Sequence, residues 1–116
     1  MNARDAWVTT ANSFEGYKIV RYLGVVRGLT VRSASALGNF TAGIQAFMGG
    51  NIEAYTELAE SSRFEAYELM VGHAAQIGAN AVIGMRYDAT EMANGMTEVL
   101  AYGTAVVIQQ NAGGTS

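Results

Sequence analysis

The chain offers little for chemistry: one histidine, ten carboxylates, six methionines and no cysteine. The absence of cysteine removes disulfides, thiolate zinc sites, iron–sulfur clusters and cysteine nucleophiles together. Soft metals then need several imidazoles, and only His73 is present. His73 falls between Met70 and Ile77 on an apolar helical stripe, where the plain expectation is a hydrogen-bonded core residue. Several copies meeting at an oligomer axis are its one strong route to a metal. Glu53, Glu57 and Glu60 stand at helical spacing, and Glu65 with Glu68 and Asp88 with Glu91 form further pairs. Such carboxylates suit a hard cation, or acid–base work beside His73. On a chain of net charge −3 they read more simply as solvated surface groups. Met48, Met70, Met85, Met92 and Met96 are scattered through expected core and turn positions, which suits packing better than copper(I).

No reaction is legible. Ser61 and Ser62 lie mid-helix, and no GxSxG elbow exists for a nucleophile. There is no Walker loop, and no GxGxxG follows a strand. GVVRG, Gly24–Gly28, reads as two glycines within a strand. Arg27, Arg32 and Arg86 could each grip an anion, but read as solvated or ion-paired groups. The expectation is therefore no enzyme and no cofactor. Seven dispersed basic residues lack the dense footprint of a nucleic-acid binder. No apolar stretch reaches the ~18 residues of a membrane span, and the N-terminus lacks a signal-peptide pattern. Cytoplasm is the expected location.

A length of 116 residues implies one domain, residues 1–116, that buries on the order of two thirds of its unfolded surface. Half of the residues are hydrophobic and 15% are charged, below the usual level of about 25%. A lone subunit should leave apolar surface exposed, and contact with other copies would cover it.

The elements that must position these groups read as follows. Residues 1–16 form an irregular arm that Trp7 and Val8 can anchor by packing. Tyr17–Val31 is a long strand rich in β-branched and aromatic residues. Ile19, Leu23 and Val25 share one face, and Val20, Tyr22 and Val26 the other, which implies cover on both sides. Gly24 and Gly28 suggest a bend or bulge. A glycine-rich apolar insert follows, with a short helix near Phe40–Met48. Asn51 caps a long helix over Ile52–Ile77, and Gly78 stops it. The helix carries one apolar stripe through Ile52, Tyr55, Leu58, Ala59, Ala66, Leu69, Met70 and Ile77. A second runs through Phe64, Tyr67, Val71 and Ala74. Ala81–Thr90 is a strand, Asn94-Gly95 a hairpin turn, and Met96–Gln109 the returning strand. On that strand Leu100, Tyr102, Val106 and Ile108 share one face, and Val99, Ala101, Ala105 and Val107 the other. Residues 111–116 read as a disordered tail.

Several separated pieces resemble the YbjQ-like proteins, a family that carries a heavy-metal-binding label. They are VTT at Val8–Thr10, EGYKIVRYLGVVRG at Glu15–Gly28, NFTAGIQAFMGGNIEAY at Asn39–Tyr55, GANAVIGMRYD at Gly78–Asp88 and YGTAV at Tyr102–Val106. The resemblance implies an α+β fold close to the dodecin-like folds. Its subunit would be two-layer β-α-β-β, with an antiparallel sheet, one long helix and the apolar insert. It also implies a homo-oligomeric ring, most often a pentamer. The insert is then an assembly element: Phe40, Ile44, Phe47 and Met48 supply contact area, while Gly49 and Gly50 stop its helix. An intrasubunit flap is its alternative. Phe64, Tyr67 and Val71 on the second stripe join the expected interface. The leading functional expectation is a non-catalytic scaffold or binding module whose partner is itself. The alternative is small-molecule or metal binding at subunit interfaces, with Tyr17, Tyr22, Tyr55, Tyr67 and Tyr102 available to a flat ligand.

Overall fold

The computed structural model describes residues 7–32, 52–92 and 96–112, with helix side chains from residue 60 onward. Strand β1 is Trp7–Val8, β2 Tyr17–Arg32, helix α1 Ile52–Gln76, β3 Ala81–Met92 and β4 Met96–Gln110. The sheet order is β1-β3-β4-β2. β4 pairs antiparallel with both β2 and β3. β1 pairs parallel with β3, Trp7 opposite Ala81 and Val8 opposite Val82. The sheet is therefore mixed, a correction to the antiparallel sheet expected above. Its cause is the supposedly irregular arm, which adds a short strand. Thr9 N–H donates to the Val82 carbonyl, Met85 N–H to Thr9 and Gly84 N–H to Ala11. Trp7 packs its ring against Phe14 at 5.5 Å and Tyr17 at 4.7 Å.

The sheet has two apolar faces. Under the helix lie Val26, Val82, Met85, Ala101 and Ala105, with Ala66, Met70, Val71 and Ala74 of α1 above them. On the reverse face Ala81, Ile83, Val106 and Ile108 cluster beneath Phe14, Tyr17 and Ile19. β4 keeps strict alternation and supplies both cores, as its sequence pattern predicts. β2 does not. Its register with β4 slips between Ile19 and Arg21 and again between Tyr22 and Gly24. Each slip inserts an extra residue and reverses which parity faces the helix. Leu23 and Val26 thus share the helix-side core, whereas Val25 is 71% exposed on the reverse face. The grouping of Leu23 with Val25 fails for this reason. At the second slip Gly24 takes φ +113°, a conformation that L side chains rarely adopt.

Small residues decide how the helix sits. A Cβ on Gly28 would overlap the Ala66 carbonyl oxygen and lie 2.5 Å from the Met70 nitrogen. Glycine there lets α1 rest its backbone on β2. The buried helix line is Ser62, Ala66, Met70 and Ala74, joined by Val71. Leu69 and Ile77 of the expected main stripe are exposed, Leu69 although its Cβ lies beside Gly28, and Ile77 just beyond the last helical residue. The helix ends with Gly78 at φ +90°. Gly78 N–H donates to Ala75 and Ala79 N–H to Ala74, the Schellman arrangement of terminal carbonyls. Asn80 then anchors the next strand. Its side chain donates to the Ile108 carbonyl at 3.0 Å and accepts from Ile108 N–H at 2.8 Å.

Candidate functional site

Among the described residues, the groups that the sequence offers for chemistry do not converge. His73 is half-buried, and its Nδ1 accepts the backbone N–H of Arg27 at 3.3 Å. That bond uses one ring nitrogen to pin α1 to β2. Arg32 pairs with Glu65, tying the end of β2 to the helix. Arg86 donates to the carbonyls of Thr10 at 2.9 Å and Met85 at 2.8 Å, holding the arm. Asp88 and Glu91 stand three apart in a strand, so they project from opposite faces and do not form a pair. Met70 and Met85 are buried packing residues, while Met92 is exposed. The side chains of Glu53 and Glu57, and Met48, lie outside the described residues.

Of the expected interface residues, Phe40, Ile44, Phe47, Met48, Gly49 and Gly50 lie outside the described residues. Phe64 is 48% exposed and stacks nearly parallel on half-buried Tyr67, with centroids 6.2 Å apart and planes at 22°. Val71 is 1% exposed, inside the subunit's own core. It packs there with Ala66, Met70 and Ala74 and has no surface to offer a neighbour.

A family-implied metal requires a donor set, and the residues do not fit one. The chain has no thiolate and a single imidazole, one nitrogen of which is already an acceptor for Arg27 N–H. Among the described residues no three His, Asp or Glu side chains converge.

Among the described residues a concavity forms between the first half of α1 and the outer half of β3. It measures about 350 Å³ and is lined by Glu60, Arg63, Phe64, Tyr87, Asp88, Ala89 and Val99. Tyr87 and Ala89 alternate toward the helix, opposite Ala101 and Val99 of β4. Glu60 and Arg63 face each other at 3.6 Å along one helical turn. Desolvation by burial raises the Tyr67 phenol above its ordinary value. Tyr87 is raised too, chiefly by desolvation, with Tyr67 and Glu60 adding to the shift and Arg63 opposing it. These four groups thus share one electrostatic neighbourhood. The sequence places Phe64 on a helix stripe and Tyr87 and Ala89 within the strand Ala81–Thr90, with no signal that the two elements adjoin there.

A family model described as "Putative heavy-metal-binding" matches residues 6–109. A UPF0145 protein of Solibacter usitatus is 57% identical over 102 residues, covering 88% of this chain and 91% of the relative. A UPF0145 protein of Chromobacterium violaceum is 58% identical over 106 residues, covering 91% of each. A crystal structure of a Pediococcus pentosaceus protein of unknown function, from the DUF74 family, aligns with TM-score 0.45 and 19% identity. That alignment covers 90% of this chain and 98% of that one.

Proposed function

This chain belongs to the YbjQ-like family, and from that premise we propose that it is a non-catalytic binding module or scaffold, working as a homo-oligomeric ring of five copies in the cytoplasm. The observation that carries the proposal is the bare face of β2. Val25 and Tyr22 are 71% and 70% exposed, and Leu29 and Val31 are exposed beside them. Among the described residues β2 is also an edge strand, and no described strand pairs with its outer backbone, which suits another chain. The shape supports the same reading. The radius of gyration is 18.0 Å, against about 13 Å for a compact chain of this length. Apolar surface and extension of this kind are relieved when copies cover one another. No described helix is long and apolar enough to cross a membrane, which accords with the proposed location. The absence of a nucleophile elbow or phosphate loop from the sequence supports a non-catalytic role. The heavy-metal label gains no support from the donor set, whereas the aromatic cleft supports the small-molecule side of the binding-module reading.

Native mass spectrometry of the purified protein tests the assembly. The expected result is a five-chain species, with the double variant Val25→Glu/Leu29→Glu falling to single chains that keep their circular dichroism. A stable wild-type monomer at micromolar concentration would remove the proposal.

A further inference from the structure

The cleft between α1 and β3 has a specific chemical character. Phe64 and Tyr87 line it and are both nearly half exposed. Tyr67 backs Phe64 at a near-parallel tilt. Large, bare rings on two different elements favour a flat guest that each ring can contact. Polar lining comes from Glu60 and Arg63 on the helix. Their ion pair is long and solvent-exposed at both ends, so it holds the two groups only weakly. A guest can therefore take over their bonds at little cost. A carboxylate accepts two hydrogen bonds side by side, while a guanidinium only donates. Acceptor and donor stand next to each other, and their charges cancel. Asp88 also lines the cleft, but on the strand its side chain alternates with those of Tyr87 and Ala89. A volume of about 350 Å³ lies near the lower end of the roughly 300–1,000 Å³ range of ligand pockets, enough for one small ring system.

We propose that this cleft binds a neutral planar heteroaromatic lactam, a ring of the guanine or pterin type, flanked by Phe64 and Tyr87. Glu60 accepts from the adjacent ring N–H and amino donors, and Arg63 donates to the neighbouring ring carbonyl. A ring without that donor–carbonyl edge leaves both charged groups unmatched and binds less well. The proposal rests on the binding-module reading but not on the number of subunits.

Calorimetric titration of the intact assembly with guanosine and with adenosine tests it. Guanosine is expected to bind saturably with a Kd at or below about 1 mM, with adenosine at least about tenfold weaker, since it lacks the lactam edge. Glu60→Gln, exposed and nearly isosteric, is expected to abolish that preference. Tyr87→Ala is expected to weaken guanosine by roughly threefold to tenfold, and Lys18→Ala, exposed at the other end of the sheet opposite Gln109, to leave it unchanged. No saturable heat with guanosine, equal affinity for the two nucleosides, or an undiminished preference in Glu60→Gln would overturn the assignment. Glu60→Gln decides the matter even if Tyr87→Ala does not fold. Native mass spectra of the same samples report subunit number, so loss of the ring and loss of the ligand are told apart.

Discussion

At the scale of single residues, Gly28 is the most closely packed of the described glycines. Its hydrogen occupies space that a methyl group would share with the helix backbone at Ala66 and Met70. Backbone cannot rotate away as a side chain can, so Gly28→Ala must lift the helix from β2. The expected cost is about 2–3 kcal/mol, in the overpacking range, measured as a lowered urea midpoint. Tyr67 and Tyr87 make a second residue-scale prediction. Both phenols have an unfolded value of 10.0 and are raised in the fold. The native state therefore holds these protons at pH values where the unfolded chain has released them. Stability is unaffected well below pH 10, then falls as pH rises through about 10 toward the folded values. Urea midpoints taken from about pH 8 to about pH 11 should show this fall, and Tyr67→Phe/Tyr87→Phe should flatten it.

At the scale of elements, the joint between α1 and β3 depends on one amide. Asn80 satisfies both the N–H and the carbonyl of Ile108, a residue that is itself buried. Asn80→Ala strands both groups, at an expected cost of about 1–3 kcal/mol. Asn80→Asp should cost a similar amount, because a carboxylate cannot donate to the Ile108 carbonyl. Urea denaturation of the two variants checks this. A fully stable Asn80→Asp would show that the accepting half of the pair suffices. The irregularities of β2 and β3 belong to this scale too. The extra residue between Ile83 and Arg86 accompanies Gly84 at φ +61°, and there the arm's carbonyls at Thr9 and Ala11 receive Met85 and Gly84 N–H. The bulge thus coincides with the place where β1 ends and the arm continues as single contacts.

At the scale of the whole molecule, the subunit is long, 62 × 27 × 19 Å. Among the described residues one helix covers one face of the sheet, and the arm covers only one end of the reverse face. The uncovered remainder, from Tyr22 to Val31, carries the assembly prediction. Charges at Val25 and Leu29 should separate the copies without unfolding each one, because neither side chain belongs to the subunit's own cores. The guest cleft lies on the helix side of the sheet, so the same substitutions should leave guanosine binding in place.

Much was legible in the sequence because it depends on local rules. β-branched runs, the helix start at Ile52 and its stop at Gly78, and the alternation of β4 all follow from backbone sterics and side-chain period. The lack of thiolates and the scarcity of imidazole restrict the soft-metal chemistry before any folding is considered. Tertiary structure decided what depends on register and approach. Two inserted residues in β2 reversed its faces, which no count of parity can anticipate. A single glycine lets the helix backbone at Ala66 and Met70 rest on β2, and in that packing Val71 is buried and Leu69 half exposed. Phe64 of the helix and Tyr87 of a strand come to line one cleft. Residues so far apart in sequence become neighbours only through long-range packing, and the candidate site exists at no lower level.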